Sequence, residues 1–308
     1  MIADQNIEFA FAAEDIVGES IVWDDRRDAL LWVDIIGRRI HSLTPATGDH
    51  RTWQMPDIVT SIGLRQDGGA IVGLRTFVAL WDFDEHFEPL ATIEPDRPDN
   101  RLNEGVVGPD GAFWIGTMEN NIQADDSPKA IEGAKGYLYR CDVSGKVDRI
   151  CDDTFGITNT LVWTDDGRLI TADTLKNEIY SYGIESTTNR LFDRRTILAG
   201  FPRGLPDGSC RDREGYVWNC RVAGGGAVVR LDPAGRIDRI IDLPCSWPTS
   251  CTFGGPDMST LYVTSARFTM SEEHLANNPQ EGGLFAVKTG TTGVQSSRFG
   301  SAAKTMPI

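Results

Sequence analysis

The chain repeats one strand layout six times. In each repeat a short apolar strand is centred on an anchor residue, and the anchors recur at intervals of 39 to 57 residues along a sequence of 308 residues. A period of about 40–50 residues that holds several short strands is typical of β-propellers, in which each repeat forms one four-stranded sheet. We therefore predict an all-β, six-bladed β-propeller, with residues 1–308 as one domain that has short terminal tails. The anchors are Trp32, Ile71, Trp114, Thr171, Trp218 and Tyr262.

Polar residues open the first strand of these repeats. They come ten to thirteen residues before the anchors, at Glu19, Ser61, Asn103, Asn159, Asp207 and Thr249. Equivalent strand starts of a propeller converge on its central channel, so we expect Glu19, Asn103, Asn159 and Asp207 to form one oxygen-rich cluster. The alternative is that such residues only satisfy backbone groups in turns. Four polar residues at matched positions favour a site.

Composition and charge exclude several classes of protein. The net charge of −15 opposes nucleic-acid binding, which needs clustered Lys and Arg. No apolar run approaches the ~18 residues of a membrane span, and Met1–Asn6 lacks a secretory signal, so we expect a cytoplasmic protein. The six cysteines lack C-x-x-C spacing and are predicted to be free thiols. The four histidines share no metal-ligand spacing, and no Gly-x-Ser-x-Gly elbow is present, which disfavours a His-rich zinc site and a serine hydrolase.

Two segments interrupt the repeats. Asn120–Lys135 follows the third anchor, and Arg267–Glu281 follows the sixth, with a helical pattern over residues 271–276. Long loops in compact domains are often lids or binding loops, so both are candidates to cover the polar cluster, and plain surface loops are the alternative. The anchors Trp32, Trp114 and Trp218 are predicted to be blade core rather than sugar platforms. The residues Asp67, Asp110 and Asp166 are predicted to be turn residues.

Five motifs carry a family resemblance, and they arrive in order from about Glu14 to Val287. The sequence resembles the gluconolactonase/regucalcin (senescence marker protein 30) family. The motifs are Gly18-Glu19-Ser20-Ile21-Val22-Trp23-Asp24, Arg101-Leu102-Asn103-Glu104-Gly105 with Gly116-Thr117-Met118, Ile157-Thr158-Asn159-Thr160, Pro206-Asp207-Gly208, and Leu261-Tyr262-Val263-Thr264-Ser265-Ala266-Arg267.

The resemblance implies a function and a set of site residues. Family members are six-bladed propellers, and many hydrolyse sugar lactones with a divalent metal in the channel. Position by position, the resemblance implies metal ligation by Glu19, Asn159 and Asp207, and substrate contacts by Arg101 and Asn103. Some relatives place a substrate-binding glutamate in the loop after Gly-Thr-Met. Here Glu119 comes early in that region and Asn120-Asn121 follow, so Glu119 and Asn121 are the candidates for that contact.

This chain departs from the family pattern at two motifs. The family often has Asn-Asp-Gly where this chain has Asn103-Glu104-Gly105, and Asn-Gly where it has Asn159-Thr160.

The chemistry of the implied ligands is that of a hard-oxygen site. Two carboxylates and one amide oxygen suit Ca²⁺, Mg²⁺, Mn²⁺ or Fe²⁺ better than thiophilic metals, although Zn²⁺ stays among the candidates. Three protein ligands leave coordination positions for water and substrate. Asp207 is the candidate catalytic residue because it can bind the metal and accept a proton from water. Arg101 supplies a planar fork of donors for a hydroxyl or carboxylate.

We predict a metal-dependent sugar-acid lactonase that hydrolyses aldonolactones of the gluconolactone, xylonolactone or arabinonolactone type. One alternative is a non-catalytic calcium- or small-ligand-binding propeller, and another is a propeller scaffold for protein partners. The only partner expected is the small-molecule lactone. The sequence leaves open which lactone is used, which metal is bound and which oligomeric state is formed.

Overall fold

A computed structural model describes residues 7–84 and 86–302 of the chain. These residues form 24 β-strands and one short α-helix. The segment Met1–Asn6, in which no secretory signal is predicted, lies outside the described residues. Within the described part of the chain, no helix combines the length and the apolar character that crossing a membrane requires.

The first half of the chain contains one single strand, whose partner lies near the end of the described residues, and three meanders. The strands are β1 (Ile7–Phe11); β2 (Gly18–Asp24), β3 (Ala29–Asp34), β4 (Arg39–Thr44) and β5 (Asp49–Gln54); β6 (Val59–Leu64), β7 (Ala70–Leu74), β8 (Phe77–Trp81) and β9 (Phe87–Thr92); β10 (Asn100–Val107), β11 (Phe113–Glu119), β12 (Leu138–Cys141) and β13 (Val147–Arg149).

The second half continues the same pattern. Its elements are β14 (Thr158–Trp163), β15 (Leu169–Asp173), β16 (Glu178–Ile184) and β17 (Leu191–Ala199); β18 (Leu205–Arg211), β19 (Val217–Val222), β20 (Ala227–Leu231) and β21 (Ile237–Asp242); β22 (Pro248–Gly254), β23 (Thr260–Ser265), α1 (Glu272–Asn277) and β24 (Leu284–Lys288).

The strands pair into six antiparallel four-stranded sheets. We number the sheets 1 to 6 by their first strands β2, β6, β10, β14, β18 and β22. The first five sheets are simple meanders, and the sixth takes its fourth strand from the beginning of the chain, where β1 pairs with β24. The fold is the predicted six-bladed β-propeller, with each repeat of the sequence forming one sheet.

Burial falls from the first strand of a sheet to the last. Nearly every residue of β2, β14 and β22 is buried, whereas β5, β17 and β21 are largely exposed. The exposed fourth strands are charged, as in the run Asp193-Arg194-Arg195 of β17. Charges on an exposed edge strand oppose pairing with other chains.

The chain divides into two compact units of three sheets each. Unit 1 comprises the described residues up to Ile58 together with Phe201–Gln295, and so holds sheets 1, 5 and 6. Unit 2 comprises Val59–Gly200 and the described residues from Ser296 onward, and holds sheets 2, 3 and 4. The organisation as one domain stays a prediction.

Each unit has an apolar core in which the anchor tryptophans take part. Trp32 and Trp218 belong to the core of unit 1, and Trp114 belongs to a core cluster of unit 2. All three are at most 2% exposed, which confirms their predicted core role. The turn positions of Asp67, Asp110 and Asp166, between the first and second strands of their sheets, are confirmed as well. All six cysteines are free thiols.

Candidate active site

Every first strand carries a β-bulge where its polar residue was predicted. The pairing register with the second strand shifts after Glu19 in β2, after Leu102 in β10, after Asn159 in β14 and after Pro206 in β18. The same shift occurs after Val59 in β6 and after Pro248 in β22. A bulge leaves extra residues without ladder partners and re-aims their side chains.

The bulges reveal two kinds of position that the sequence pattern did not separate. Glu19 and Asn159 are the last paired residues before the bulge, and the next residues, Ser20 and Thr160, have left-handed φ values of 50° and 60°. Asn103 and Asp207 lie inside the bulge, one residue later in register. The matched positions of the sequence analysis therefore differ by one residue between the two pairs.

In unit 2, Arg101 and Asn103 of β10 form a fixed pair. The Arg101 Nη1 group donates to Asn103 Oδ1 at 2.8 Å and to the carbonyl oxygen of Leu102 at 2.8 Å. The Asn103 Nδ2 group donates to the carbonyl oxygen of Thr158 at 2.8 Å. Because a guanidinium only donates and a carbonyl only accepts, these two partners fix the orientation of the Asn103 amide.

This orientation also fixes Asn159, the predicted metal ligand of β14. The Asn103 Nδ2 group lies 3.3 Å from Asn159 Oδ1, and Asn159 Nδ2 donates to Thr174 Oγ1 at 2.8 Å. The Asn159 amide is 4% exposed and turns its oxygen towards Asn103. An oxygen aimed in this way has a second lone pair for a cation. The structure thus brings Arg101, Asn103 and Asn159 together.

Asn121 joins the same network from the loop after β11. Its Oδ1 atom accepts from Arg101 Nη2 at 2.9 Å and from Arg101 Nε at 3.2 Å. Because the Arg101 guanidinium occupies the oxygen of this amide, the Asn121 Nδ2 group is the part that is suited to donate to another molecule. The loop therefore contributes a side chain to the network around Arg101.

Glu119, at the end of β11, is buried and holds the loop that follows it. It is 2% exposed, and its Oε2 atom accepts from the backbone N–H groups of Glu132 at 2.7 Å and Gly133 at 3.3 Å. Its Oε1 atom accepts from Lys135 Nζ at 2.6 Å. The hydrogen bond from Lys135 holds the pKa of Glu119 below its ordinary value. Both carboxylate oxygens therefore bind the far end of the loop, and a contact with substrate stays a prediction.

The loop between Glu119 and Lys135 is folded on itself. The Lys129 N–H group donates to the carbonyl oxygen of Asn121 at 2.7 Å, and Gln123 N–H donates to that of Ser127 at 2.9 Å. These bonds tie the segment that carries Asn121 to the segment that Glu119 holds. The loop is thus an ordered hairpin rather than an open excursion.

In unit 1, Glu19 lies near the start of β2 and is 7% exposed. The Ser20 N–H group donates to Glu19 Oε2 at 2.9 Å, a bond within the bulge. Thr249 of β22 donates its hydroxyl to the carbonyl oxygen of Gly18, directly before Glu19. The backbone that carries Glu19 is therefore held by its own sheet and by sheet 6.

Asp207, also in unit 1, interacts electrostatically with a buried arginine of β19, Arg221. Arg221 is 1% exposed and donates to Asn219 Oδ1 at 3.1 Å and to the carbonyl oxygens of Arg203 at 3.0 Å and Gly204 at 2.8 Å. Burial lowers the pKa of the Arg221 guanidinium to about 10. The negative charge of Asp207 acts in the opposite direction, because it favours the protonated form. The Arg221 guanidinium is therefore charged at neutral pH and places a buried positive charge near Asp207.

The second predicted loop, Arg267–Glu281, contains the expected helix. Ser271 caps α1 by accepting from the His274 N–H group at 3.1 Å. Glu281 at the loop's end is 3% exposed and accepts from Ser246 Oγ at 2.6 Å and from the Ser246 N–H group at 2.9 Å. A buried glutamate thus holds this loop as Glu119 holds the first one.

The donor types fit a hard cation. Among the described residues, no group of three or more His, Cys, Asp or Glu side chains is placed to hold a metal ion. The predicted set of Glu19, Asn159 and Asp207 is of another kind, because one of its three members is an amide. The oriented oxygen of Asn159 and the two carboxylates are the oxygen ligands that Ca²⁺ and Mg²⁺ prefer.

Three participants were missed by the sequence reasoning. Thr174 orients Asn159, Asn219 donates to the Asp207 carbonyl oxygen at 3.0 Å, and Arg221 interacts electrostatically with Asp207. The signal available was the polar run Asn219-Cys220-Arg221 in a second strand that is otherwise apolar. A charged residue on a central strand indicates a buried partner.

Comparison with known proteins places the chain in a family. Residues 17–267 match the family described as SMP-30/Gluconolactonase/LRE-like region. The chain is 34% identical to regucalcin of Xenopus laevis over 92% of this chain and 94% of that protein. It is 34% identical to the 6-deoxy-6-sulfogluconolactonase of Pseudomonas putida over 92% of this chain and 95% of that protein.

A solved structure supports the same conclusion. The calcium-binding protein regucalcin of Agrobacterium tumefaciens matches with a TM-score of 0.85 and 28% identity, over 94% of this chain and 95% of that chain. The predicted resemblance is confirmed, and the family includes proteins named as sugar lactonases. The chain has the six sheets of a propeller and matches these relatives over most of their length. It therefore belongs to the SMP-30/gluconolactonase/LRE-like family.

Proposed function

We propose that this protein is a metal-dependent lactonase that hydrolyses sugar-acid lactones of the aldonolactone class. The observation that carries the proposal is the chain of contacts in unit 2, in which Arg101, Asn103 and Asn159 are joined by hydrogen bonds of 2.8 and 3.3 Å. It links a residue proposed to bind substrate to a residue proposed to bind metal. Membership of a family that includes lactonases supports the same reaction class.

We propose Glu19, Asn159 and Asp207 as the ligands of one divalent cation. Each is on a first strand and at most 7% exposed, and each has an oxygen donor at or beside a bulge. When bound, a divalent cation would polarise the lactone carbonyl and acidify a water molecule. The identity of the ion is open among Ca²⁺, Mg²⁺, Mn²⁺, Fe²⁺ and Zn²⁺.

The roles of the protein groups follow from their chemistry. Asp207 is the proposed base, which takes the proton of the attacking water, and the buried Arg221 guanidinium is a positive charge near it. Arg101 holds the oxygens of Asn103 and Asn121, and it is proposed to hold substrate oxygens on the same side. The Asn121 Nδ2 group is proposed to donate to a sugar hydroxyl. Asn103 is proposed to keep Arg101 and Asn159 in place.

Hydrolysis assays test the proposal directly. Acid release from gluconolactone, xylonolactone and arabinonolactone is followed with a pH indicator, above the spontaneous rate, with chelator and after metal is restored. We expect a rate that chelation abolishes and one or more of the five cations restores. Asp207→Asn is expected to lower kcat at least a hundredfold, while Asp257→Asn, at an exposed turn of unit 1, should be as active as the wild type.

Calorimetric titration of the metal separates the proposal from its alternative. Glu19→Gln and Asp207→Asn are both expected to weaken metal binding. Wild-type metal affinity in both variants would refute the ligand assignment. Tight metal binding with no hydrolysis of any sugar lactone would instead support the non-catalytic, calcium- or small-ligand-binding alternative.

A further inference from the structure

Three of the six cysteines meet inside unit 1. Cys210 lies on β18 and pairs with Trp218 of β19, and Cys220 is two residues further along β19, so Cys210 and Cys220 share one face of sheet 5. Cys251, on β22 of sheet 6, packs against that face. The Sγ atoms of Cys210 and Cys251 are 3.5 Å apart, and the Cys220 thiol also donates to Cys251.

The three thiols differ in exposure. Cys220 is fully buried and Cys251 is 3% exposed, while Cys210 is half-buried and so is the member through which a small reagent reaches the group. Sensitive cysteines typically have a second thiol close enough to complete a disulfide. A disulfide has an S–S length of about 2.05 Å, so the two sulfurs must approach by about 1.5 Å for the bond to form.

The hydrogen bonds distinguish the three groups chemically. Burial raises the pKa of the Cys210 and Cys220 thiols well above the ordinary value, so both keep their protons and donate. Burial opposes ionisation of Cys251 as well, but the donated hydrogen bonds from both neighbours hold its pKa below the ordinary value. The Cys251 thiol itself donates to the carbonyl oxygen of Trp218 at 3.3 Å, so its proton must leave this contact before the thiolate, the form that attacks oxidants, is present.

We propose that Cys210 and Cys251 form a reversible disulfide when the protein meets a hydroperoxide. The Cys251 thiolate attacks one oxygen of the peroxide, the O–O bond breaks, and the released hydroxide takes up the thiol proton to leave as water. The Cys251 sulfenic acid is then attacked by the Cys210 sulfur, which loses its proton as a second water leaves. Two thiols and one H₂O₂ give one disulfide and two waters, with two electrons passing from sulfur to the peroxide.

The bond would join the first strands of two neighbouring sheets. Cys210 and Cys251 are 41 residues apart in sequence, and a cross-link of that span restricts the unfolded chain. We therefore expect the oxidised protein to unfold at a higher temperature than the reduced protein. The inference does not depend on the lactonase proposal, because it concerns thiol chemistry alone.

Peptide mapping tests the proposal on the full-length protein. The reduced protein is treated with H₂O₂, quenched, unfolded and alkylated, and its peptides are identified by mass. We expect two of the six thiols to escape alkylation, one linked peptide pair to contain Cys210 and Cys251, and dithiothreitol to restore all six. Six alkylated thiols after treatment, or a linked pair with any other cysteine, would overturn the proposal.

Matched variants separate the pair from general oxidation. Cys210→Ser and Cys251→Ser should each abolish the linked peptide, whereas Cys141→Ser, at a buried thiol of unit 2, should still form it. Persistence of the disulfide mass change in Cys251→Ser would also overturn the assignment. Should a serine variant fail to fold, the linked peptide of the wild type decides the question by itself.

Discussion

Glu119 bonds Glu132, Gly133 and Lys135 and so holds the loop after β11. Its replacement tests whether Glu119 positions this loop or contacts the lactone itself. Replacing Glu119 by Gln leaves one acceptor oxygen but places an NH₂ group opposite either the Lys135 ammonium or the Glu132 N–H group, which lie at 2.6 and 2.7 Å. Hydrogen bonds to charged groups contribute about 1.5–3 kcal/mol each. The ammonium is 41% exposed, so its share is discounted for solvent screening.

The loss is therefore about 2 kcal/mol, felt by the loop rather than by the whole fold. Asn121 is tied to the clamped segment through Lys129, so a loosened loop positions it less well against Arg101. We expect KM for the lactone to rise about tenfold, which corresponds to about 1.4 kcal/mol, with kcat within about twofold. Hydrogen exchange of the amides in residues 120–135 should speed up independently of activity.

Two further variants make the test sharp. Lys135→Met removes the ammonium but keeps Glu119, so it should raise KM in the same direction if Glu119 acts by positioning the loop. If Glu119 contacts the lactone itself, Lys135→Met should leave KM near the wild-type value. Glu132→Gln is the matched control, because its carboxylate is 76% exposed and bonds the same ammonium from solvent at 3.1 Å. Wild-type KM and wild-type exchange in Glu119→Gln would refute the reasoning.

Three other predictions follow from contacts of single residues. Asn103→Ala should lower kcat/KM by a factor that corresponds to a loss of about 2–4 kcal/mol of transition-state stabilisation. Because Asn103 bonds Asn159, the variant should also bind metal more weakly in calorimetry. Unchanged metal affinity would limit Asn103 to a substrate contact. Arg221→Met should lower the free energy of unfolding by about 3–5 kcal/mol in denaturant titrations, since it removes the buried cation near Asp207 and the donor of one buried and two part-buried acceptors. Burial and the neighbouring His41 lower the pKa of His50, so the folded protein resists its protonation and stability is lost as pH falls below about 6.5. His50→Asn should flatten the decline of Tm between pH 7 and pH 5, and an unchanged slope would contradict this origin.

The sequence was sufficient for the parts of the fold that repeat. Trp32, Trp114 and Trp218 fall at one position of the repeat and are buried, and each repeat forms one four-stranded sheet as its period predicts. The helical pattern over residues 271–276 predicted α1, and the structure shows that Ser271 caps it by accepting from the His274 N–H group. The residues that determine such elements lie inside them or within a few residues of their ends.

The candidate site was less accessible from sequence. The bulges shift Asn103 and Asp207 by one residue relative to Glu19 and Asn159, and a bulge depends on pairing with the next strand rather than on local composition. The partners of Glu119 lie 13 to 16 residues away, in a loop whose path no periodicity describes. The sequence could therefore name the polar residues of the site but not the bonds that orient them.

The discontinuity of unit 1 has a consequence for how the chain is made. Among the described strands β1 is synthesised before all the others, yet its partner β24 is completed only at Lys288, after the rest of them. The three sheets of unit 2 are finished by Ala199, while Cys210, Cys251 and the rest of sheets 5 and 6 are still to be synthesised. During that interval the N-terminal strand has exposed edge groups and no partner, a state in which pairing with another chain competes with correct folding. Slow translation of the codons for β18 to β24 would lengthen that exposure, so the yield of folded protein should depend on the speed at which those codons are read.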